Sequence, residues 1–243
     1  MNAVRAITRA EAKLFLRDPA TWGAAIILPT VILVILGLIF GNKPDEVFGG
    51  RGLLDLFAPS LVVLTIATLS VNTMTTRLAT YREKGILRRL STAPVPPAAL
   101  LVAELAINVV AAIVAVALLV TVASVAFGVP WPQNLPGFVV TIGLGTSSLF
   151  ALALLFAAVV LSASAATAIG LGVFAAVMFL GGVYLPRYLL PDIVNQIGAF
   201  TPPGVEGLQD AWLGSPIDVA PLLVMAAITV VAGAVAARTF RWE

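Results

Sequence analysis

Five of the chain's fourteen Lys and Arg stand in one run, Arg77-Leu-Ala-Thr-Tyr-Arg-Glu-Lys-Gly-Ile-Leu-Arg-Arg-Leu-Ser-Thr-Ala-Pro-Val-Pro-Pro97, with Glu83 its single acid. Side chains of these types at this spacing suit gripping a partner rather than making or breaking bonds. Leu87 and Leu90, three apart, offer an apolar ridge on one helix face. Arg82, Arg88 and Arg89 suit acids on a protein partner, or lipid phosphate. Gly85 permits a break in the chain ahead of that ridge. Pro94, Pro96 and Pro97 stop the element and open the next, since proline suits a first helical turn.

The remaining polar residues are sparse. Thr65, Thr68, Asn72 and Thr75 fall at i, i+3, i+7 and i+10, on one face of a helix, and Asn108 offers a further amide. The stripe reads as a substrate path or subunit seam, or as hydroxyls that bond their own backbone and hold helices together. Gly37-x3-Gly41 is a possible close-packing pair of low specificity. Asp55, Glu104 and Asp218 are the acids that fall within apolar stretches, all near their ends. A gradient-driven carrier keeps ionisable groups at mid-membrane, which this placement supports only weakly. Glu104 is expected near the headgroups, either paired with an arginine of the basic run or part of an apparatus that transmits motion. With no Cys and no His, thiol chemistry, zinc sites and imidazole acid–base catalysis are excluded. The phosphate cradle Gly-x4-Gly-Lys-[Ser/Thr] is absent. No catalytic, metal or cofactor site is expected on this chain.

The elements that must position these residues are membrane helices. Of 243 residues, 60% are hydrophobic and 11% charged, with a mean hydropathy of +1.06; a soluble domain carries about 25% charged residues. The basic residues gather at the edges of apolar stretches without interleaved stacking aromatics, which fits topology signals and lipid contacts and not nucleic acid. Arg outnumbers Lys eleven to three, and Ala, Val and Gly abound, pointing to a bacterial cytoplasmic membrane. The basic start contains Glu11 and Asp18 and leads into a full span, so no cleaved signal peptide is expected.

A span needs about 20 apolar residues. Six candidates follow: 22–40, 53–76, 98–127, 138–161, 168–184 and 218–237. With six spans, eleven of the fourteen Lys and Arg fall on the side of the termini and of the 77–97 run, which places both termini in the cytoplasm. Residues 1–20 carry Arg5, Arg9, Lys13 and Arg17 on one face and Val4, Ile7, Ala10 and Leu14 on another, predicting an amphipathic helix in the cytoplasmic interface, ended by Asp18-Pro19. Between the last two spans, residues 185–217 are apolar but broken by Pro and Gly. Two helix-sized pieces, 192–200 and 205–212, are each too short to cross and are expected to dip in from outside and return. The fold class is an all-α membrane protein, a single permease-like domain over 1–243.

On these residues the chain resembles the membrane subunit of type-2 ABC exporters, the six-span permeases of bacterial drug, lipid and polysaccharide export. The most specific match is Tyr81-Arg82-Glu83-Lys84-Gly85-Ile86-Leu87-Arg88-Arg89-Leu90-Ser91-Thr92-Ala93-Pro94, like the family's Arg-Glu-x-Gly-x-Leu-x-x-Leu-x-x-x-Pro after span two. Phe57-Ala58-Pro59-Ser60-Leu61 is similar to its start of span two, and Leu189-Leu190-Pro191 to its outer segment. The resemblance implies a cytoplasmic coupling helix at about 85–92 docked in a separate ATPase, two copies of which bind ATP and Mg, and an N-terminal helix that touches that ATPase. Arg82, Glu83, Gly85, Leu87, Arg88, Arg89 and Leu90 would transmit force. A second permease chain, an identical copy, would complete a path for a hydrophobic drug, antibiotic or lipid. The alternatives are a lipid-linked glycan exporter subunit, an ion-gradient-driven transporter acting without an ATPase, and a scaffold that transports nothing.

Overall fold

The computed structural model describes residues 2–48, 50–86, 98–160, 162–184 and 189–239, all of it helix and connection. The helices are α1 (Asn2–Leu16), α2 (Pro19–Trp22), α3 (Leu28–Phe40), α4 (Leu53–Ala67), α5 (Thr75–Glu83), α6 (Ala98–Phe127), α7 (Leu135–Val159), α8 (Ala163–Leu180), α9 (Asp192–Ala199), α10 (Val205–Leu213) and α11 (Val219–Thr239). Two π-helical segments join pairs of them into continuous rods: Gly23–Ile27 between α2 and α3, and Thr68–Met74 between α4 and α5.

Each π segment has a local cause or a local bond. Pro29 carries no N–H, so the carbonyl of Ala25 loses its usual donor and the ladder slips by one residue just upstream. Leu28 N–H reaches back to Gly23, and the Thr30 hydroxyl donates to the Ile26 carbonyl at 3.4 Å. No proline stands in Thr68–Met74. There the Thr73 hydroxyl donates to the Thr68 carbonyl, five residues back, at 3.0 Å.

Five helical rods are long and apolar enough to cross a membrane: Pro19–Phe40, Leu53–Tyr81, Ala99–Phe127, Leu135–Val159 and Val219–Thr239. The fifth expected span, α8, starts at Ala163 and ends at Leu180, not at 168 and 184. Ser162 caps it by accepting from Ala165 N–H at 3.2 Å, so the expected 162–167 loop shrinks to almost nothing. Its 18 residues cover ~27 Å, close to the ~30 Å of a bilayer core. The second span also differs from expectation. Its helix does not stop at Thr76 but continues through α5 to Glu83, so the basic run begins as helix.

The rod of α4 and α5 is the centre of the bundle. Of its most apolar stretch 83% is buried, against 22% for α11. Leu54, Leu61, Val62, Val63, Ile66 and Val71 pack with Leu33, Leu119, Leu149 and Met178 from four other helices. In lipid the outer helices have no need to hide apolar surface, so polar and small residues concentrate at the centre. Asn42 and Asp55 lock its upper end: Asn42 donates to the Asp55 carboxylate at 2.9 Å and accepts from Leu54 N–H at 3.0 Å. Of the glycine pair near this end, Gly37 lies against the Phe127 ring, while Gly41, at φ 66°, simply ends α3.

The broken segment between the last two spans forms the two expected short helices to within a residue. They do unlike things. In α10 the residues Val205, Leu208, Ala211 and Trp212 are buried among α4 and α7, with the Trp212 ring edge-on to Phe138 at 5.6 Å. Its C-terminal carbonyls accept from the turn before α7, Gln133 N–H to Trp212 and Asn134 N–H to Ala211. Gly145 lets this segment approach: a Cβ there would lie 2.4 Å from the Pro203 carbonyl oxygen. In contrast, α9 leaves Ile193, Ile197 and Phe200 exposed.

Candidate functional site

Three helices meet where the basic run begins. The first is α1. Its face toward the bundle is Glu11 and Phe15, one turn apart; of the apolar face read from the sequence, Ala10 and Leu14 point away from the bundle, Leu14 48% exposed. Phe15 explains the choice, because it wedges against Ala25, Leu69, Ala111 and Ala112, where small residues leave room for a ring. That contact turns Glu11 inward, and Arg5, Arg9, Lys13 and Arg17 outward as one cationic stripe. A turn follows in which Trp22 Nε1 donates to the Leu16 carbonyl at 3.3 Å. Asp18 caps α2 by accepting from Thr21 N–H at 3.2 Å. The Thr21 hydroxyl bound to Asp18 is the main cause that holds this carboxyl below its usual range.

The second helix is α5, which carries Arg77 and Tyr81 one turn apart. The third is α6, which carries Glu104 and Asn108 at the same spacing. Their side chains converge. Arg77 places Nη1 3.4 Å from Glu104 Oε2 and Nη2 3.8 Å from Glu11 Oε2. The Tyr81 hydroxyl donates to Glu11 Oε2 at 2.8 Å and lies 3.4 Å from Glu104 Oε1. Asn108 Nδ2 donates to the Glu104 carbonyl at 2.8 Å and stands 3.4 Å from its carboxylate. Glu104 and Asn108 are wholly buried, and the Arg77 side chain is 17% exposed. Two carboxylates from separate helices thus share one guanidinium on a third, in surroundings where an unpaired charge is costly. Such a cluster cannot release one helix without stranding a charge on another.

Four residues beyond Tyr81, at ~6 Å of helix rise, the chain reaches the turn at Lys84 and Gly85. Lys84 N–H closes α5 on the Thr80 carbonyl, and Gly85 sits at φ 66°. Only glycine adopts that conformation freely. Glu83, at the end of α5, is exposed. Leu87, Arg88, Arg89 and Leu90 lie outside the described residues, and for Arg82 and Asn72 only the backbone is described.

Of the polar stripe, Thr65, Thr68 and Thr75 are buried, and the first two bond their own helix. Thr65 and Thr68 donate to the carbonyls of Leu61 and Leu64, at 3.0 and 2.7 Å, and Ser70 does the same to Ile66. Among the described residues, Thr75 Oγ1 and Asn108 Oδ1 are buried with no hydrogen-bond partner. Of the two sets proposed from sequence, the structure brings Asn108 to the charge cluster and leaves Thr65 and Thr68 apart from it. Glu11, Arg77 and Tyr81 were not among the sequence candidates. Their signal was present: Arg77-x3-Tyr81 and Glu104-x3-Asn108 each place two polar groups on one helix face, and Glu11 is the lone acid of α1.

The family profile described as ABC-2 type transporter matches residues 2–203 of this chain. The chain belongs to the ABC-2 type transporter family. No curated protein matches it in sequence. Membership makes it the membrane subunit of an ABC transporter, a multi-pass membrane protein of a family that normally works with a cytoplasmic ATPase. The matched region runs from α1 to the turn between α9 and α10, so both the charge cluster and the Gly85 turn of this ABC-2 subunit lie inside it. Among its described residues no group of three or more acids is placed to hold a metal ion.

Proposed function

We propose that this ABC-2 subunit is the permease half of an ATP-driven exporter in a bacterial cytoplasmic membrane. Two copies of a separate ATPase bind and hydrolyse ATP with Mg, and a second identical permease chain completes the path. The cargo is a hydrophobic small molecule, such as a drug or antibiotic, or a lipid, moved from the cytoplasm or inner leaflet; a lipid-linked glycan is the nearest other cargo. The bias of Lys and Arg toward one side supports cytoplasmic termini, with the cationic stripe of α1 on lipid phosphate and α9 and α10 on the outer side.

The observation that carries this reading is the knot of Glu11, Arg77, Tyr81, Glu104 and Asn108 directly behind the Gly85 turn. In this scheme the segment from Gly85 to Leu90 docks on the ATPase, with Leu87 and Leu90 in its cleft and Arg82, Glu83, Arg88 and Arg89 pairing around them. A push there travels along α5 as a rigid helix. The cluster then carries it to α1 and α6 together, because separating them would strand a buried charge. Glu104 is also the observation a proton-driven reading would use. Its guanidinium partner Arg77 and its contact with Tyr81 favour the mechanical role.

The test is purification of the chain from its own membranes in mild detergent, with partners identified and ATP turnover and export measured. A stoichiometric P-loop subunit is expected. Glu83→Ala and Gly85→Pro should leave insertion intact while separating ATP hydrolysis from transport. Unchanged export in both variants would remove the role given to this turn. A lone chain after crosslinking in the membrane would favour gradient-driven transport.

A further inference from the structure

Helices that follow one another through a short turn in a bundle usually pack side by side, with axes 8–10 Å apart. Here α6 and α7, joined by the seven-residue turn 128–134, hardly touch along their lengths. Each lies instead on the central rod, and α10 holds the turn open by accepting from Gln133 and Asn134. The gap between them is a groove of about 470 Å³. Val116, Val120 and Phe138 form its buried floor; Ile113 and Val139, both more than 60% exposed, are its walls. Thr146 and Ser147 at the inner end are its polar lining residues, and no charged residue lines it.

Its dimensions select an occupant. The lining of α6 runs from Val109 to Val120, a rise of ~16 Å, and one leaflet's share of a ~30 Å hydrocarbon core is ~15 Å. Trp131 and Pro132 stand at the end beside the turn, and an exposed indole belongs at the membrane–water boundary. The groove therefore runs from that boundary to the bilayer middle. An acyl chain ends at the bilayer middle, as the groove does, whereas a spanning partner helix would run on through the other leaflet.

We propose that the α6–α7 groove holds one acyl chain of a phospholipid from the leaflet bordering the 128–134 turn. Such a chain packs against a floor and two walls, where a lipid on an outer helix face meets only one surface. The gain is close contact rather than escape from water, since both sites are apolar. Gly143 opens the slot at mid-depth: a Cβ built there meets nothing within 4 Å, so a larger side chain at 143 fills the groove without disturbing the helix.

The full-length chain is reconstituted in vesicles of phosphatidylcholine that include a phosphatidylcholine with a diazirine near the middle of one acyl chain. After illumination, labelled residues are mapped. Leu223 and Val230 on α11, exposed apolar residues at 65% and 69%, report ordinary lipid contact. Labelling of Ile113, Val116 and Val139 several-fold above that of α11 is expected, falling to the α11 level in Gly143→Leu while α11 itself is unchanged. If α11 labelling shifts in that variant, Ala117→Leu serves as the second plug. Equal labelling of groove and α11 in the unaltered protein overturns the proposal. So does an unlabelled groove together with disulfide-linked dimers of a Val139→Cys chain, which would make a second copy the occupant.

Discussion

The two halves of α6 are built on opposite plans. Its first turns carry Glu104 and Asn108, both wholly buried, and Glu104 is bound to Arg77 and Tyr81 of α5, which also hold Glu11 of α1. From Val109 to Val120 the side facing α7 is apolar and meets almost no helix at all. The contrast follows from what lipid does to each kind of group. Charged groups in an apolar solvent must find partners, so they draw helices into fixed relation. Apolar groups are as comfortable with acyl chains as with one another, so nothing compels α6 and α7 to close.

The largest effect should come from breaking the rigid half. Glu104→Ala leaves Arg77 buried with a single carboxylate in reach, and loss of one partner from a buried pair costs about 3–5 kcal/mol. Thermal unfolding in detergent should show it plainly, while Gly143→Leu, in the other half, stays within about 0.5 kcal/mol of the unaltered chain. Equal losses would erase the contrast. Arg77→Met and Glu104→Met combined with Glu11→Gln should recover much of the stability, since neutral replacements of a whole buried ion cluster are often tolerated and no carboxylate is left unpaired. ATP-coupled export should stay lost in that triple variant; recovered export would mean that packing, not charge, carries the force.

Gly85 comes next. Its φ of 66° makes any L residue strained by about 1–2 kcal/mol, and proline, fixed near −65°, cannot adopt it. Gly85→Ala should cut ATPase stimulation by substrate with a modest change in melting temperature. Removing the cap of α2 by Asp18→Ala should cost about 1 kcal/mol, detectable as a lower melting temperature with export retained, because α1 is also anchored by Phe15. The smallest effect is expected from Thr65→Val and Thr68→Val. Both hydroxyls serve their own helix, and such changes alter stability by about 0.5 kcal/mol or less. Export that falls while stability holds would make this stripe the substrate path after all.

The helices were legible where punctuation and length agree. Proline and glycine bracket α9 and α10, which appear within a residue of expectation, and Pro97 followed by an unbroken apolar run places α6 at Ala98–Phe127 as read. The end of span two was misread because charge at Arg77 looked like the onset of a loop, yet Arg77 and Tyr81 are helical and face inward. Span five was placed five residues late at its start because the Ser-Ala-Ser-Ala-Ala-Thr stretch looks like a turn, whereas Ser162 acts as its N-cap.

By itself, the order of residues determined that this is a chain of membrane helices and that the basic run after span two is its distinctive feature. Those conclusions rest on composition and on local spacing, which act over a few residues. Only the tertiary structure decided that Glu11, Arg77, Tyr81 and Glu104 meet, and that α6 and α7 stand apart. Glu11 and Glu104 are far separated in sequence, and the side of each helix that turns inward is chosen by its neighbours: Phe15 among alanines at one end, Trp212 and Phe138 at the other. In lipid, where the spanning helices are apolar nearly all round, that choice comes from the fit of large side chains against small ones and leaves little trace in periodicity.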